Sequence, residues 1–321
     1  MTVQPFCFDH STLVEGNDGF LFLIGGAHSP YKYASGELIP TEHSIDSFWS
    51  NIEHRNSIAK QLCSQYRHII VPDKHNSCKE VFPLPIKHRL ADIYLEKRIG
   101  LRHLVKYPLS NLVQDFRNNS YRVDTHYNPI GSCKILLDAL SGIVHDQVLS
   151  DLQTYIEEKL LVTVSDWSGD LGSKVDPVRT EDRLAVKLPG SVKRYSNKLS
   201  AGNNGIIDIY CNSNPLSCGL NKAVLLGDSY GRDIAELLSI VYKHVAFLRT
   251  PFMHDELVRM ARPDLILTQN SERYLSWVQS DFESPLFFLY PFLGDKSSTL
   301  IVESQVANEI NKFFTGVWSR T

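Results

Sequence analysis

The sequence predicts an α/β protein, a three-layer αβα sandwich around a mostly parallel β-sheet. Short apolar runs of strand length alternate with amphipathic helical segments along most of the chain, and this alternation is typical of parallel sheets. The clearest unit spans residues 222–238, where an apolar run ends at a Gly-Asp-Ser turn before a helix. The chain is 43% hydrophobic and 21% charged, which is ordinary for a globular protein.

The first predicted element is a hairpin over residues 13–24, because the residues Gly16-Asn-Asp-Gly19 are typical of a tight turn and lie between two apolar runs. A helix that begins at Thr41 follows, since apolar residues recur there at helical spacing and Thr41 offers a cap. The other predicted elements, in chain order, are a strand over 67–72, helices over 86–101, 129–144 and 147–160, strands over 205–210 and 223–226, a helix after Gly231, a strand over 243–248, a helix over 252–260, strands over 263–269 and 285–290, and a helix over 304–314.

The chain shows no repeat, low-complexity tract or linker, so we expect one domain over residues 1–321. The N-terminal hairpin and residues 165–210 are expected to be additions to it. The second of these is polar and is predicted to be a loop-rich insertion with strand pieces.

The composition gives no sign of a nucleic-acid-binding protein. The net charge is 33 − 36 = −3, so nothing suggests general nucleic-acid binding. The six cysteines are scattered without a CxxC pair and are expected to be mostly reduced structural thiols, with a Cys211–Cys218 disulfide left open. No histidine pair has metal-ligand spacing on an evident helix, so nothing requires a metal.

The N-terminus has no basic start and no apolar run of export length. No segment approaches the roughly 20 apolar residues of a membrane span. We therefore expect a cytoplasmic protein as the sequence is written, or a periplasmic one if an export signal was removed.

Ser229 is the candidate nucleophile. Gly227-Asp228-Ser229 forms the turn between a strand and a helix, at the sheet edge where open α/β sheets bind ligands. The free N–H groups of a helix start favour negative charge, so the Ser229 N–H is a plausible oxyanion donor. The alternative is that Ser229 only caps the helix, while Asp228 is expected to hold the turn.

Asp124 and His126 are the candidate orienter and base. Two side chains spaced two residues apart point the same way on an extended segment, so the carboxylate can orient the imidazole. Serine is a weak nucleophile unless such a base takes its proton. The alternative is a loop aspartate that caps the next helix beside a surface histidine.

Four short stretches, in this order, resemble the permuted AlgX/AlgJ-type branch of the SGNH hydrolases, the alginate O-acetyltransferase type. They are Glu15-Gly-Asn-Asp-Gly-Phe-Leu-Phe, Asp124-Thr-His-Tyr-Asn-Pro-Ile-Gly, Gly169-Asp-Leu-Gly and Leu226-Gly-Asp-Ser-Tyr. A fifth, residues 262–274, resembles a strand followed by Glu-Arg-Tyr. In that family the Asp-x-His element precedes Gly-Asp-Ser. Tyr127 departs from the pattern, because tryptophan is usual there.

The resemblance implies a bacterial-type polysaccharide O-acetyltransferase that carries acetyl on Ser229, with Asp124 and His126 completing the triad. It implies no bound cofactor but a required acetyl donor, a glycan or sugar-linked acceptor, and an acetyl-donating membrane partner as one option. The alginate substrate is not carried over, because the chain has too little sequence after the final strand for the alginate enzyme's carbohydrate-binding module.

Four further residues are candidates for acceptor binding. Tyr127 and Trp167 have the chemistry to stack on sugar rings, and Arg232 and Arg249 to meet an acidic sugar. Core aromatic residues and solvated or structural arginines are the alternatives. Glu272 and Arg273 are expected to form a buried pair that supports the sheet edge.

Three other functions stay open. A carbohydrate acetylesterase would use the same three residues with water as acceptor. An α/β-hydrolase would use Gly227-Asp-Ser-Tyr-Gly231 as its G-x-S-x-G turn with His254 as base. A non-catalytic glycan-binding protein would keep the fold alone.

Overall fold

A computed structural model describes residues 12–199, 204–290 and 303–316. Residues 1–10, on which the expectation about an export signal depends, lie outside these ranges. Within them, no helix combines the length and apolar character needed to cross a membrane.

The strands are Leu13–Glu15 (β1), Leu21–Leu23 (β2), Gln65–Val71 (β3), Val105–Lys106 (β4), Leu161–Trp167 (β5), Glu181–Val186 (β6), Val192–Ser196 (β7), Ile207–Asn212 (β8), Lys222–Gly227 (β9), His244–Arg249 (β10) and Leu265–Ser271 (β11). The α-helices of the described residues are Pro30–Ala34 (α1), Glu42–Gln61 (α2), Lys74–Ser77 (α3), Leu90–Leu95 (α4), Leu109–Val113 (α5), Phe116–Asn119 (α6), Pro129–Leu140 (α7), Asp146–Tyr155 (α8), Gly169–Gly172 (α9), Ser229–Val241 (α10), Asp255–Ala261 (α11) and Ser304–Thr315 (α12).

Seven strands form the central sheet, in the order β4-β3-β11-β9-β10-β8-β7. The first five in this order are parallel, while β8 and β7 are antiparallel to their neighbours. Residues of α2, α11 and α12 form the core on one face, and residues of α7, α8 and α10 form the core on the other. The predicted three-layer α/β architecture is therefore confirmed.

Strand β9 lies in the middle of this sheet. Ala223, Val224 and Leu225 are fully buried, since helices cover both faces of the sheet. That burial explains why the strand appears in the sequence as an unbroken apolar run. It also fixes the position of the turn that follows.

The hairpin over residues 13–24 is confirmed, with Leu13 opposite Leu23 in β1 and β2. The long helix is also confirmed, and the Thr41 side chain accepts a hydrogen bond from the Ser44 N–H as its cap.

The strand pieces predicted within residues 165–210 are present as β6, β7 and most of β8, and the β7–β8 pair completes the edge of the central sheet. One prediction is wrong. The predicted strand at 285–290 is a 3₁₀ turn, Phe287–Leu289, where Phe287 is buried while Phe288 is exposed. A short apolar run fits either a buried strand or a buried helical turn, because its hydrophobic periodicity does not distinguish the two.

The expectation of reduced cysteines is confirmed for those the structure describes, and Cys211 and Cys218 are free thiols with no disulfide between them. The structure instead ties distant segments together with buried ion pairs. Arg55 of α2 donates two hydrogen bonds of 2.7 Å to the Asp281 carboxylate, which anchors the segment after β11.

Candidate active site

Ser229 is the first residue of α10, and only Asp228 separates it from Gly227 at the carboxyl end of β9. Asp228 caps the helix, because its Oδ1 accepts a hydrogen bond of 3.0 Å from the Tyr230 N–H. The Ser229 N–H belongs to the first turn, where backbone donors have no acceptor within the helix. Ser229 is thus presented at the sheet edge beside a positively polarised helix end.

The tight approach before Ser229 requires glycine at position 227. A Cβ on Gly227 would lie 2.4 Å from the Gln269 Oε1 and 2.9 Å from the Gln269 carbonyl oxygen. The same Gln269 Oε1 accepts a hydrogen bond from the Asp228 N–H. Strands β9 and β11 are thereby held together at the turn.

The structure brings the three predicted catalytic residues together. The Ser229 Oγ lies 2.8 Å from the His126 Nε2, and the His126 Nδ1 lies 2.7 Å from the Asp124 Oδ1. An ionised carboxylate only accepts hydrogen bonds, so Nδ1 carries the proton and Nε2 accepts from the Ser229 hydroxyl. This is the arrangement of nucleophile, base and orienter that activates a serine.

The Asp124 carboxylate is fixed by its own loop and by α9. Its Oδ1 also accepts from the His126 N–H at 2.7 Å, and its Oδ2 accepts from the Asp170 N–H at 2.7 Å. Asp170 in turn accepts from both the N–H and the hydroxyl of Thr125. Asp124 and Asp170 therefore clamp the segment that carries the base.

Gly169 permits this clamp. Its φ is +60°, and a Cβ there would lie 2.5 Å from the Val123 carbonyl oxygen. In the sequence, Gly169-Asp-Leu-Gly contributes only to the resemblance, and Asp170 has no predicted role. Its backbone N–H supports the triad from a position 46 residues after Asp124.

The N-terminal hairpin supports the same segment. The Leu21 N–H donates to the Arg122 carbonyl at 2.8 Å. The buried Lys74 ammonium group donates to the carbonyls of Leu21, Arg122 and Asp124 at 2.9, 3.0 and 2.9 Å. Burial lowers the pKa of Lys74 to about 8, although nearby acidic groups oppose the change. Sequence reasoning missed this lysine because all its partners are backbone atoms of distant segments.

Asp228 holds the turn, as its sequence position suggests. Beyond the Tyr230 N–H, its carboxylate accepts from the Gln269 side chain and from the N–H and hydroxyl of Ser271. All of these partners belong to the start of α10 or to β11, so the carboxylate holds the turn that positions Ser229.

The pKa values of the base and its orienter shift in opposite directions. Burial would lower the pKa of His126, but the hydrogen bond and charge of Asp124 outweigh it and raise the pKa above 6.5. Burial would raise the pKa of Asp124, but hydrogen bonds and the charge of His126 outweigh it and lower that pKa. The pair therefore favours an ionised carboxylate beside an imidazole that readily takes a proton.

The ligand atoms of Asp124, His126 and Asp170 lie within 4.8 Å of one another, close enough to share a metal ion. The oxygens of both carboxylates already accept hydrogen bonds from N–H or O–H groups. A metal would have to replace those bonds. The cluster thus fits an orienting role better than metal binding.

Of the four residues predicted to bind the acceptor, Tyr127 lies in the core. It is 2% exposed, and its hydroxyl lies within hydrogen-bond distance of the Pro72 carbonyl and the Ser77 hydroxyl, at 2.9 and 2.8 Å. The position that is usually tryptophan is here part of the core. Its ring has no exposed face for a sugar, which argues against the predicted stacking.

Arg232 is also engaged elsewhere, since its Nε donates to the fully buried Asp208 at 2.7 Å. That bond favours the structural alternative. Trp167 is partly buried at the end of β5, with the Arg183 guanidinium 4.8 Å above its ring. Arg249 is half-buried at the end of β10, opposite Gly227. For Trp167 and Arg249, acceptor binding stays a prediction.

Glu272 and Arg273 are buried as predicted, but they do not pair with each other. Arg273 donates to Asp73 at 2.6 Å. Glu272 accepts from the Asp73 N–H, from the Ala91 N–H and from two side chains. Asp73, which the sequence did not single out, is the partner that both residues share.

His254 has its own hydrogen-bond partner away from the triad, because its Nε2 lies 3.0 Å from the Thr250 hydroxyl. His126 instead contacts Ser229. The α/β-hydrolase alternative, which needs His254 as base, therefore has no support in this geometry.

No protein-family model and no curated protein sequence matches the chain. Solved structures do match its fold. PatB1 from Bacillus cereus matches with a TM-score of 0.56 at 13% identity, over 84% of this chain and 98% of PatB1. A DHHW family protein from Eubacterium siraeum matches with a TM-score of 0.56 at 11% identity, over 85% of this chain and 94% of that one.

The O-acetyltransferase domain of AlgJ from Pseudomonas putida matches with a TM-score of 0.52 at 13% identity, over 85% of this chain and 96% of the domain. Identities this low establish the fold alone. The fold of this chain is therefore similar to that of the AlgJ O-acetyltransferase domain over 85% of the chain.

Proposed function

We propose that this protein is an O-acetyltransferase that moves an acetyl group to a hydroxyl of a glycan or sugar precursor through an acyl-serine intermediate. The observation that carries the proposal is the chain of hydrogen bonds from Ser229 through His126 to Asp124, at 2.8 and 2.7 Å. The fold shared with the O-acetyltransferase domain of AlgJ supports the choice of acetyl transfer.

In the first half-reaction, the Ser229 Oγ attacks the carbonyl carbon of the acetyl donor while the His126 Nε2 takes its proton. Asp124 holds the imidazole and stabilises the cation that forms. The Ser229 N–H, at the start of α10, is suited to stabilise the developing oxyanion. The leaving group takes the proton from His126, which leaves an acetyl ester on Ser229.

In the second half-reaction, His126 takes the proton of an acceptor hydroxyl, whose oxygen attacks the acetyl-serine. The ester bond to Ser229 breaks, and the Ser229 Oγ recovers the proton. We propose a glycan or sugar-linked acceptor and a separate acetyl donor. A membrane partner is one source from which the acetyl group could come. With water in place of the acceptor, the same steps describe an acetylesterase.

The pH dependence follows from the raised pKa of His126. The base works only as neutral imidazole, so acylation should rise with pH through a midpoint above 6.5 and level off at higher pH. The contribution of His126 to folding stability changes with pH in the opposite direction. The favourable interaction of protonated His126 is fully present below pH 6.5 and is lost as the pH rises through the folded-state pKa. Rates of acetyl-serine formation across the pH range on both sides of 6.5 check the first statement, and a midpoint below 6.5 would contradict it.

Transfer is distinguished from hydrolysis by the products. We would supply p-nitrophenyl acetate and an oligosaccharide such as chitotetraose, and analyse acetate and acetylated sugar by mass spectrometry. Acetylated sugar that disappears in Ser229→Ala supports the transferase. Acetate alone, with every acceptor tried, identifies an esterase that uses the same serine.

A further inference from the structure

Asp233 is a carboxylate of α10 that the proposed reaction has not yet used. It lies four residues after Ser229, so both side chains leave the same face of the helix, one turn apart. His126 and Arg183 are among the charged groups that act on it. Asp233 therefore lies one helical turn from Ser229, and its charge acts on the proposed catalytic base.

The carboxylate of Asp233 is partly buried, yet no described residue gives it a hydrogen bond. Burial raises its pKa, against the opposing charges of His126 and Arg183. A partly buried carboxylate without a protein donor keeps its capacity to accept hydrogen bonds from a ligand, and carboxylates with shifted pKa values are concentrated at functional sites.

The other charged residues of α10 near this position have partners. Arg232 donates to Asp208 at 2.7 Å, and Glu236 accepts from Arg194 at 3.4 Å. Asp233 thus differs from its neighbours on the same helix. Its lack of a donor among the described residues is specific to the position one turn after the nucleophile.

A second group beside Asp233 also lacks a partner. The Nε of Arg183 is buried without an acceptor among the described residues, although its guanidinium lies over the Trp167 ring. A cavity of about 30 Å³ lies between Asp233, Arg183 and Tyr121. It is large enough for one or two water molecules, and so for a hydroxyl group. An acceptor of hydrogen bonds and a donor therefore face the same small space.

We propose that Asp233 binds the acceptor by accepting a hydrogen bond from a hydroxyl next to the one that reacts. The acceptor is then a polyol or sugar ring with neighbouring hydroxyls, and simple alcohols are poor substrates. While His126 takes the proton of one hydroxyl, Asp233 holds its neighbour and orients the attacking oxygen toward the acetyl-serine. This assignment rests on the proposed acetyl-serine chemistry.

The test lets two acceptors compete for one acetyl-enzyme. The protein is supplied with p-nitrophenyl acetate and with methyl α-glucopyranoside plus ethanol, and both acetylated products are measured. Both acceptors attack the same acetyl-serine, so their product ratio does not depend on the rate of acylation. We expect the wild type to prefer the glucoside and Asp233→Ala to lower the glucoside-to-ethanol ratio roughly tenfold, as loss of a hydrogen bond to a charged group predicts.

Asp182→Ala is the control, since it removes an exposed carboxylate of β6 next to Arg183 and outside the cavity. It should leave the ratio unchanged. No preference for the glucoside in the wild type, an unchanged ratio in Asp233→Ala, or an equal fall in Asp182→Ala would each overturn the assignment. Absence of any acetyl-serine in the wild type would instead refute the proposed function itself.

Discussion

Asp124→Asn is expected to lower the kcat for ester turnover by about 10⁴-fold, the loss typical when a triad aspartate becomes an amide. The reason is the number of donors around this side chain. Both oxygens of Asp124 accept hydrogen bonds, two from His126 and one from the Asp170 N–H. An asparagine must turn its NH₂ group toward one of these donors.

Each orientation of that amide is unfavourable in a different way. If the NH₂ group faces His126, then Nδ1 must accept a hydrogen bond and Nε2 carries the proton toward Ser229. The imidazole is then in the wrong tautomer to act as base. If the NH₂ group faces Asp170, two N–H donors oppose each other and the clamp on Thr125 weakens.

The measurement is steady-state turnover of p-nitrophenyl acetate, with Asp182→Asn as control because Asp182 is an exposed carboxylate on β6. The control should keep the wild-type rate. Wild-type turnover by Asp124→Asn would show that Asp124 does not orient the base.

Asp281→Ala is expected to destabilise the protein by about 3–5 kcal/mol, the cost of leaving one member of a buried ion pair alone. The side chains of Arg55 and Asp281 are only 6% and 2% exposed, and two hydrogen bonds of 2.7 Å join them. Asp281 also accepts from the Met253 N–H. Its removal would leave a buried guanidinium and a buried backbone donor without their acceptor.

The free energy of unfolding in urea measures this effect. The control is Glu37→Ala, which removes the partner of Lys32 from a surface pair whose side chains are 51% and 60% exposed. Such pairs contribute about 0–1 kcal/mol. Similar losses for the two variants would contradict the assignment of Arg55 and Asp281 as a buried anchor.

The parts of the site that the sequence predicted are those in which local pattern determines position. An apolar strand, a Gly-Asp-Ser turn and an amphipathic helix place Ser229 at the sheet edge, whatever the rest of the chain does. Asp124 and His126 do meet as their spacing suggests, but in a bend where the His126 N–H donates to the Asp124 carboxylate and not on the extended segment predicted. Their meeting with Ser229 is what the ordered resemblance implies.

The parts that sequence reasoning missed depend on contacts between distant segments. Lys74 binds three backbone carbonyls, and a carbonyl has no signature in the sequence. Asp170 acts through a helix of four residues that only the fold brings to Asp124. Tyr127 adjoins His126 in the sequence, which favours a role in sugar stacking, but its neighbours in space bury it.

The most direct test of the account is the mass of the intact protein after incubation with p-nitrophenyl acetate, followed by peptide mapping. We expect one acetyl group on the peptide that contains Ser229, and none at that site in Ser229→Ala. An acetyl group on another residue, or the same adduct in Ser229→Ala, would show that Ser229 is not the nucleophile.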